Sequence, residues 1–277
     1  MSTGSILCQA FLESHPADAA RILERLSAKE AAALLRQFHL QDVAAPVLSQ
    51  MDRASAAECL KNWPAEQVPG VLSSLDLHLA SLLLLLMAPA DRERLLALAD
   101  KEVAKSLGML LRYPEGTAGF LMDPQVLALP QDITVVEARN RMQQYARYLY
   151  YFIYVVNRAH MLVGYLEIRE LLRASGKNLL SAVMHREAPR LPARAGRDAI
   201  LAHPAWQQFH SLPVVDEKGT LLGTLHYQTL RRIESETSSG WPQGTLNTAI
   251  ALGELYWIGT ASMLRGLANA VTNQCKI

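Results

Sequence analysis

The 277-residue sequence has few cysteines, almost no net charge and few long hydrophobic runs. Its three cysteines, Cys8, Cys59 and Cys275, are widely spaced, which argues against a disulfide framework or a zinc site with paired ligands. The formal net charge is +1, so the chain lacks the positive excess that attracts nucleic acids. We therefore expect a protein of a reducing compartment that does not bind nucleic acid.

Two apolar segments have to be weighed as membrane spans. Residues 79–87 are too few, because a bilayer needs about 20 apolar residues. Residues 250–271 are numerous enough but include Glu254 and Arg265, which favours an amphipathic helix over a span. Residues 1–12 lack a basic start followed by a long apolar stretch, so we expect a cytoplasmic protein.

The sequence also lacks the short motifs of common enzyme classes. It contains no P-loop, no dinucleotide-type glycine run, no nucleophile elbow and no H-E-x-x-H pair. The sequence therefore predicts a protein that is not an enzyme.

A period of twelve residues runs through the first 111 residues. In the fourth repeat, Ala56, Cys59, Leu60 and Trp63 have the spacing of one face of an α-helix. Helices of about two turns are unstable alone, so we expect stacked short helices that form a superhelix. Each repeat opens at a residue that begins or precedes a helix, with only His39 left over: His15, Ser27, Leu40, Asp52, Pro64, Asp76, Ala88 and Asp100.

Three histidines of this region, His15, His39 and His78, lie outside the apolar face. No second potential ligand recurs at helical spacing from any of them. We expect solvated side chains at all three positions rather than metal ligands.

From Leu121 onward, β-branched and aromatic runs alternate with helical patterns. The order then recurs about sixty residues later: Val183-Met184 repeats Leu121-Met122, and 222–225 repeats 163–166. The pattern predicts two β-α-β-β-α units whose sheets pack together and leave two clefts. In the first unit, helices are predicted over 138–144 and 168–172, and strands over 150–156 and 161–166.

The two units resemble a CBS-domain pair. The junction Arg112–Met122, RYPEGTAGFLM, resembles that of the MgtE magnesium transporters, where a domain of short helices meets such a pair. The resemblance runs from about Leu12 to Glu236 and implies an α+β multidomain protein that is dimeric through the CBS pair. It implies five segments: an all-α N domain over 1–111, a junction over 112–120, CBS units over 121–182 and 183–233, and a linker with a C-terminal helical tail over 234–277.

In the MgtE family, Mg²⁺ ions bridge acidic faces of the N domain and the CBS pair. The resemblance implies such a metal site in this chain. Here the candidate ligands are reduced to Asp76, Glu234 and Glu236, so we expect a weak site. Residues 1–111 carry 13 acidic and 10 basic residues, whereas 112–233 carry 10 acidic and 15 basic residues. The two parts are therefore expected to attract each other without a metal.

The resemblance also implies an adenine-nucleotide site in the first CBS unit. Its residues are Phe152 for stacking on adenine, Gly164, Arg169, and Glu170 for the ribose. An alternative makes Phe152 a core residue and Arg169-Glu170 a solvated helix start. The second unit has His226 and Thr229 at the corresponding positions and thus no carboxylate for a ribose.

The sequence predicts a cytosolic regulatory protein that resembles the gating module of MgtE transporters. Only 44 residues follow Ile233, too few for a multi-helix pore, so we expect a membrane transporter as partner and a tail that contacts the membrane or that partner. Two alternatives stay open: an adenine-nucleotide sensor and a protein-binding scaffold.

Overall fold

The computed structural model of the chain describes residues 3–38, 43–144, 152–229 and 231. The part before residue 112 is helical and follows the twelve-residue period, which confirms the prediction of short successive helices. Its helices are α1 (Thr3–Ser14), α2 (Pro16–Leu23), α3 (Ala28–Leu35), α4 (Ala45–Leu48), α5 (Arg53–Lys61), α6 (Val68–Ser74), α7 (Leu77–Leu85), α8 (Pro89–Leu98) and α9 (Lys101–Leu110).

Two kinds of helix start alternate along this part. Ser27, Asp52, Asp76 and Asp100 precede α3, α5, α7 and α9, and each side chain accepts a hydrogen bond from a backbone N–H of the first turn. The even-numbered helices instead carry proline at one of their first two positions, where a missing N–H costs little: Pro16, Pro46, Pro69 and Pro89.

The same alternation decides which helices touch. Helices α3, α5, α7 and α9 pack successively in one row, and α2, α4, α6 and α8 pack in a second row. One apolar cluster extends from Leu12 to Leu107 and contains all four apolar positions quoted for the fourth repeat. The buried stripe thus holds neighbouring repeats together, as the spacing predicts.

The CBS pair follows a short helix, α10 (Ala118–Leu121). Each unit holds a three-stranded mixed sheet in which the first strand is parallel to the second and the second antiparallel to the third. The two repeated units of strands and helices that the sequence predicted are therefore confirmed. Their elements are β1 (Ala128–Pro130), α11 (Val135–Gln144), β2 (Phe152–Val156), β3 (Leu162–Glu167) and α12 (Ile168–Arg173), then α13 (Leu180–Val183), β4 (Leu191–Pro192), α14 (Arg197–Leu201), β5 (Ser211–Val215) and β6 (Leu221–His226).

Each unit sends its entering segment to the other unit. Asp123, ahead of β1, pairs with Thr224 of β6, and His185, ahead of β4, pairs with Tyr165 of β3. This reciprocal exchange joins the two units, whose packing together was predicted from the sequence repeat.

The chain divides into two compact units after Tyr227, and the helical part and both sheets lie in the first. Within the described ranges, no helix is both long and apolar enough to cross a bilayer. The predicted C-terminal tail, together with Glu234, Glu236 and His39, lies outside the described residues.

Candidate functional site

Gly164 is fixed by the crossing of two backbone segments. A Cβ at this position would lie 2.5 Å from the carbonyl oxygen of His185, in the segment that pairs with β3. The equivalent Gly223 of β6 would meet the carbonyl oxygen of Asp123 at 2.4 Å. Both glycines are therefore required by the exchange of segments between the units, whatever else Gly164 contacts.

Phe152 lies in a cluster of rings contributed by both CBS units. Its ring centroid is 5.1 Å from that of Phe209 and 5.7 Å from that of Tyr165. Tyr165 also stacks on His185 at 5.0 Å. Phe152 is half-buried, so the structure provides an aromatic surface where the sequence predicted a stacking residue.

Two other residues predicted to bind the nucleotide, Arg169 and Glu170, lie in the first turn of α12, directly after β3. The register places Phe152 opposite Glu167, and Arg169 forms an ion pair with Glu167. The structure thus brings Phe152, Arg169 and Glu170 to the same edge of the first sheet.

The Glu170 carboxylate faces an imidazole. Nε2 of His185 lies 2.9 and 3.0 Å from its two oxygens, and the backbone N–H of Glu167 donates to it at 3.3 Å. Burial raises the pKa of Glu170, but the hydrogen bonds from His185 and Glu167 outweigh it and leave the pKa below its usual value. The side chain of Glu170 is 37% exposed and that of His185 is 48% exposed, so a ligand can reach the pair from solvent.

The second cleft has a different partner. His226, at the end of β6, lies with Nε2 3.9 Å from Oδ2 of Asp123, and its side chain is only 15% exposed. Its pKa is lowered by burial and by the nearby His78, while Asp123 opposes the shift.

The prediction of a solvated side chain at His78 is wrong. The side chain is 14% exposed, and Nε2 lies 2.9 Å from the carbonyl oxygen of Leu121. A carbonyl can only accept, so Nε2 carries a proton in this contact. His78 sits in the first turn of α7, so this contact joins the helical part to the end of α10.

The predicted metal ligand Asp76 lies at this same helix start. Its carboxylate accepts from the backbone N–H groups of His78 and Leu79 at 3.0 and 3.2 Å. Among the residues that the structure describes, no group of three or more His, Cys, Asp or Glu side chains is arranged to hold a metal. The metal site therefore stays a prediction.

A separate cavity of about 640 Å³ lies between α9 and the segment that leads into β1. Its lining includes Lys105, Met109, Val126 and Arg141. It coincides with neither cleft, and the sequence analysis did not foresee it.

The fold defines a protein in which a domain of short helical repeats contacts a tandem CBS pair. Residues 14–116 match the family model of the MgtE intracellular N domain, and residues 118–177 match that of the CBS domain. The chain therefore matches an MgtE N domain followed by a CBS domain, which confirms the resemblance found in the sequence.

The relatives are transporters. The magnesium transporter MgtE of Thermus thermophilus is 31% identical over 137 residues, 49% of this chain and 30% of that protein. The Bacillus subtilis MgtE is 23% identical over 213 residues, 76% of this chain and 47% of that protein. This chain thus spans less than half the length of either relative.

A solved structure covers the same two parts. It is the cytosolic domain of the Mg²⁺ channel MgtE in complex with ATP, which is 26% identical and has a TM-score of 0.54. The match covers 77% of this chain and 93% of the other.

Proposed function

We propose that this chain is a regulatory module of magnesium transport, in which the docking of the N domain on the CBS pair is the regulated step. The observation that carries the proposal is the contact of His78 in α7 with the end of α10, because it ties the two domains together. The module acts as a homodimer through the CBS pair. It passes its state to a transporter pore that the described residues do not contain, with the tail as the contact to that partner or to the membrane.

Magnesium fits the described junction poorly. Mg²⁺ prefers oxygen ligands in near-octahedral geometry, but each of the two carboxylates at the junction, Asp76 and Asp123, lies beside an imidazole, that of His78 or His226. The Asp76 carboxylate already caps α7. The acidic excess of residues 1–111 and the basic excess of 112–233 favour docking without an ion.

Two measurements on the full chain test the proposal. Small-angle scattering at pH 8 in EDTA and in millimolar Mg²⁺ is expected to give the same radius of gyration; a large, saturable compaction would contradict metal-free docking. Added to vesicles that contain the membrane part of an MgtE transporter, the chain is expected to change Mg²⁺ uptake. Uptake by the chain alone, or no effect on the transporter, would contradict the regulatory role.

An adenine nucleotide in the first cleft is the second candidate. The half-buried Phe152 ring and the accessible Glu170 carboxylate, which lie at one edge of the sheet, favour it. The solved relative was crystallised with ATP. Calorimetry with AMP, ADP and ATP is expected to find one site per chain, and two equal sites would contradict this assignment.

A further inference from the structure

The cavity of about 640 Å³ lies between the last helix of the helical domain and the edge strand of the first CBS sheet. Its helical side is one face of α9, with spacings of three and four residues: Glu102, Lys105, Ser106 and Met109. Opposite this face run residues 124–127, which lead into β1, together with Arg141 of α11. The volume is that of a small-molecule site, and such sites are frequent between domains.

The hydroxyl of Ser106 indicates an occupant of this cavity. Ser106 is only 8% exposed and lines the cavity, yet its hydroxyl forms no hydrogen bond with any residue that the structure describes. The buried Ser81 of α7 differs, since its hydroxyl donates to the carbonyl oxygen of Leu77 at 2.9 Å. A buried hydroxyl is costly to leave without a hydrogen bond. Ser106 is therefore available to a molecule in the cavity.

The charged side chains around the cavity favour an anion. Of the described lining residues, Lys105 and Arg141 are basic and Glu102 is acidic. Lys105 forms no ion pair with a described carboxylate, although Glu102 stands three residues before it. Arg141 shares its charge with Glu137, whose carboxylate lies 2.6 Å away. The ammonium group of Lys105, next to the Ser106 hydroxyl in the sequence, is thus the cation left for a ligand.

We propose that this cavity binds a small organic anion with an apolar body, whose carboxylate or phosphate lies at Lys105 and Ser106. The apolar body lies against side chains of both domains: Met109, Val126, Leu127 and Leu129. Such a ligand touches α9 and the segment before β1 at once, so it favours the docked domains by mass action. Only this effect on docking rests on the proposed function, and the binding itself does not.

NMR of the methionine methyl groups in the full chain tests the site, with octanoate and octyl phosphate as probes up to about 10 mM. We expect both probes to shift the signal of Met109, and the tighter of the two identifies the head group. The signal of Met87, which lines a separate cavity of about 280 Å³ beside α8, is expected to stay unchanged. Met109→Leu and Met87→Leu assign the two signals. Octylamine, with the opposite charge, is expected to bind about tenfold more weakly or less.

Variants then locate the anion. Lys105→Met is expected to weaken octanoate binding about tenfold or more, and Ser106→Ala about threefold or more. Lys101→Met, at an exposed position of α9 that does not line the cavity, is the matched control and is expected to leave affinity unchanged.

Four outcomes would overturn the inference: no shift of Met109, as in a cavity that holds only water; equal shifts of Met109 and Met87; binding of octylamine as tight as that of octanoate; or equal affinities in Lys105→Met and Lys101→Met. The first three are measured on the unaltered chain and do not depend on a variant folding. No transporter takes part in these titrations, so the site can fail while the vesicle assay supports the regulatory role, and the reverse.

Discussion

Each of the two clefts of the CBS pair holds an imidazole beside a carboxylate, but different elements supply them. In the first cleft, Glu170 of α12 supplies the carboxylate and the entering segment supplies the imidazole of His185. In the second, the entering segment supplies the carboxylate of Asp123, and the end of β6 supplies the imidazole of His226. The two units therefore have similar backbones but not similar chemistry.

The two sites also differ in how far water reaches their imidazoles. His185 is 48% exposed and His226 only 15%. Burial lowers the pKa of His226, and the nearby His78 of the helical domain lowers it further. The comparison teaches that one scaffold provides an open edge suited to a small ligand and a covered edge suited to domain docking.

The largest expected effect tests whether the backbones of the two clefts are equivalent. Gly164→Ala and Gly223→Ala each force a Cβ against a carbonyl oxygen, at 2.5 and 2.4 Å. Each is expected to lower the free energy of unfolding by about 3 kcal/mol, because a backbone atom has to move. Gly196→Ala, where a Cβ meets no atom within 4 Å, is the control, with an expected cost of at most about 1 kcal/mol because Gly196 is the N-cap of α14. Urea unfolding measures all three, and a mild effect at only one of the two glycines would break the equivalence.

The next largest expected effect tests the chemical difference between the two clefts. If adenine nucleotide binds in the first cleft, Glu170→Gln is expected to weaken binding about tenfold or more, because the ribose loses a hydrogen bond to a charged acceptor. Thr229→Val, at the corresponding position of the second unit, is expected to leave affinity unchanged. Calorimetry measures both variants. Equal losses would place ligand in both clefts, and no loss in Glu170→Gln would remove this residue from the site.

A smaller effect concerns the helix that approaches the second cleft. Asp76→Ala removes the acceptor for two N–H groups at the start of α7 and is expected to cost about 1 kcal/mol in urea unfolding. Asp76→Asn keeps an acceptor oxygen and is the matched control, with an expected cost of a few tenths of a kcal/mol. Equal losses in both variants would mean that the charge of Asp76, rather than its capping, stabilises the junction.

Local patterns made the helical part predictable. The caps Ser27 and Asp52 and the stripe through Leu60 act within one helix and its neighbours, so their spacing is visible in the sequence. The repeat of Leu121-Met122 at Val183-Met184 likewise indicated two units. Extending that repeat by one residue would have identified His185 and Asp123 as equivalent positions of the two units, and these residues lie in the two clefts.

Contacts between distant segments were not predictable in the same way. His78 lies outside the apolar stripe, and the stripe reports packing between repeats and not contact with another domain. The contact of His78 with Leu121 was therefore not visible in the spacing. Phe209 joins Phe152 only because the two sheets pack against each other. The sequence pattern indicated each sheet but carried no information on which side chains meet between them.

The smallest expected effect is the coupling between His185 and Glu170. Both side chains are accessible to water, so a double-mutant cycle with His185→Gln and Glu170→Gln is expected to give a coupling of about 0.2 to 1 kcal/mol near pH 6. Because folding lowers the pKa of Glu170 from 4.5, the coupling should be complete above that value and disappear as pH falls through the lowered pKa. Urea unfolding between pH 3 and pH 6 measures it. A coupling above about 2 kcal/mol would be too large for an exposed pair and would mean that the first cleft is as closed as the second.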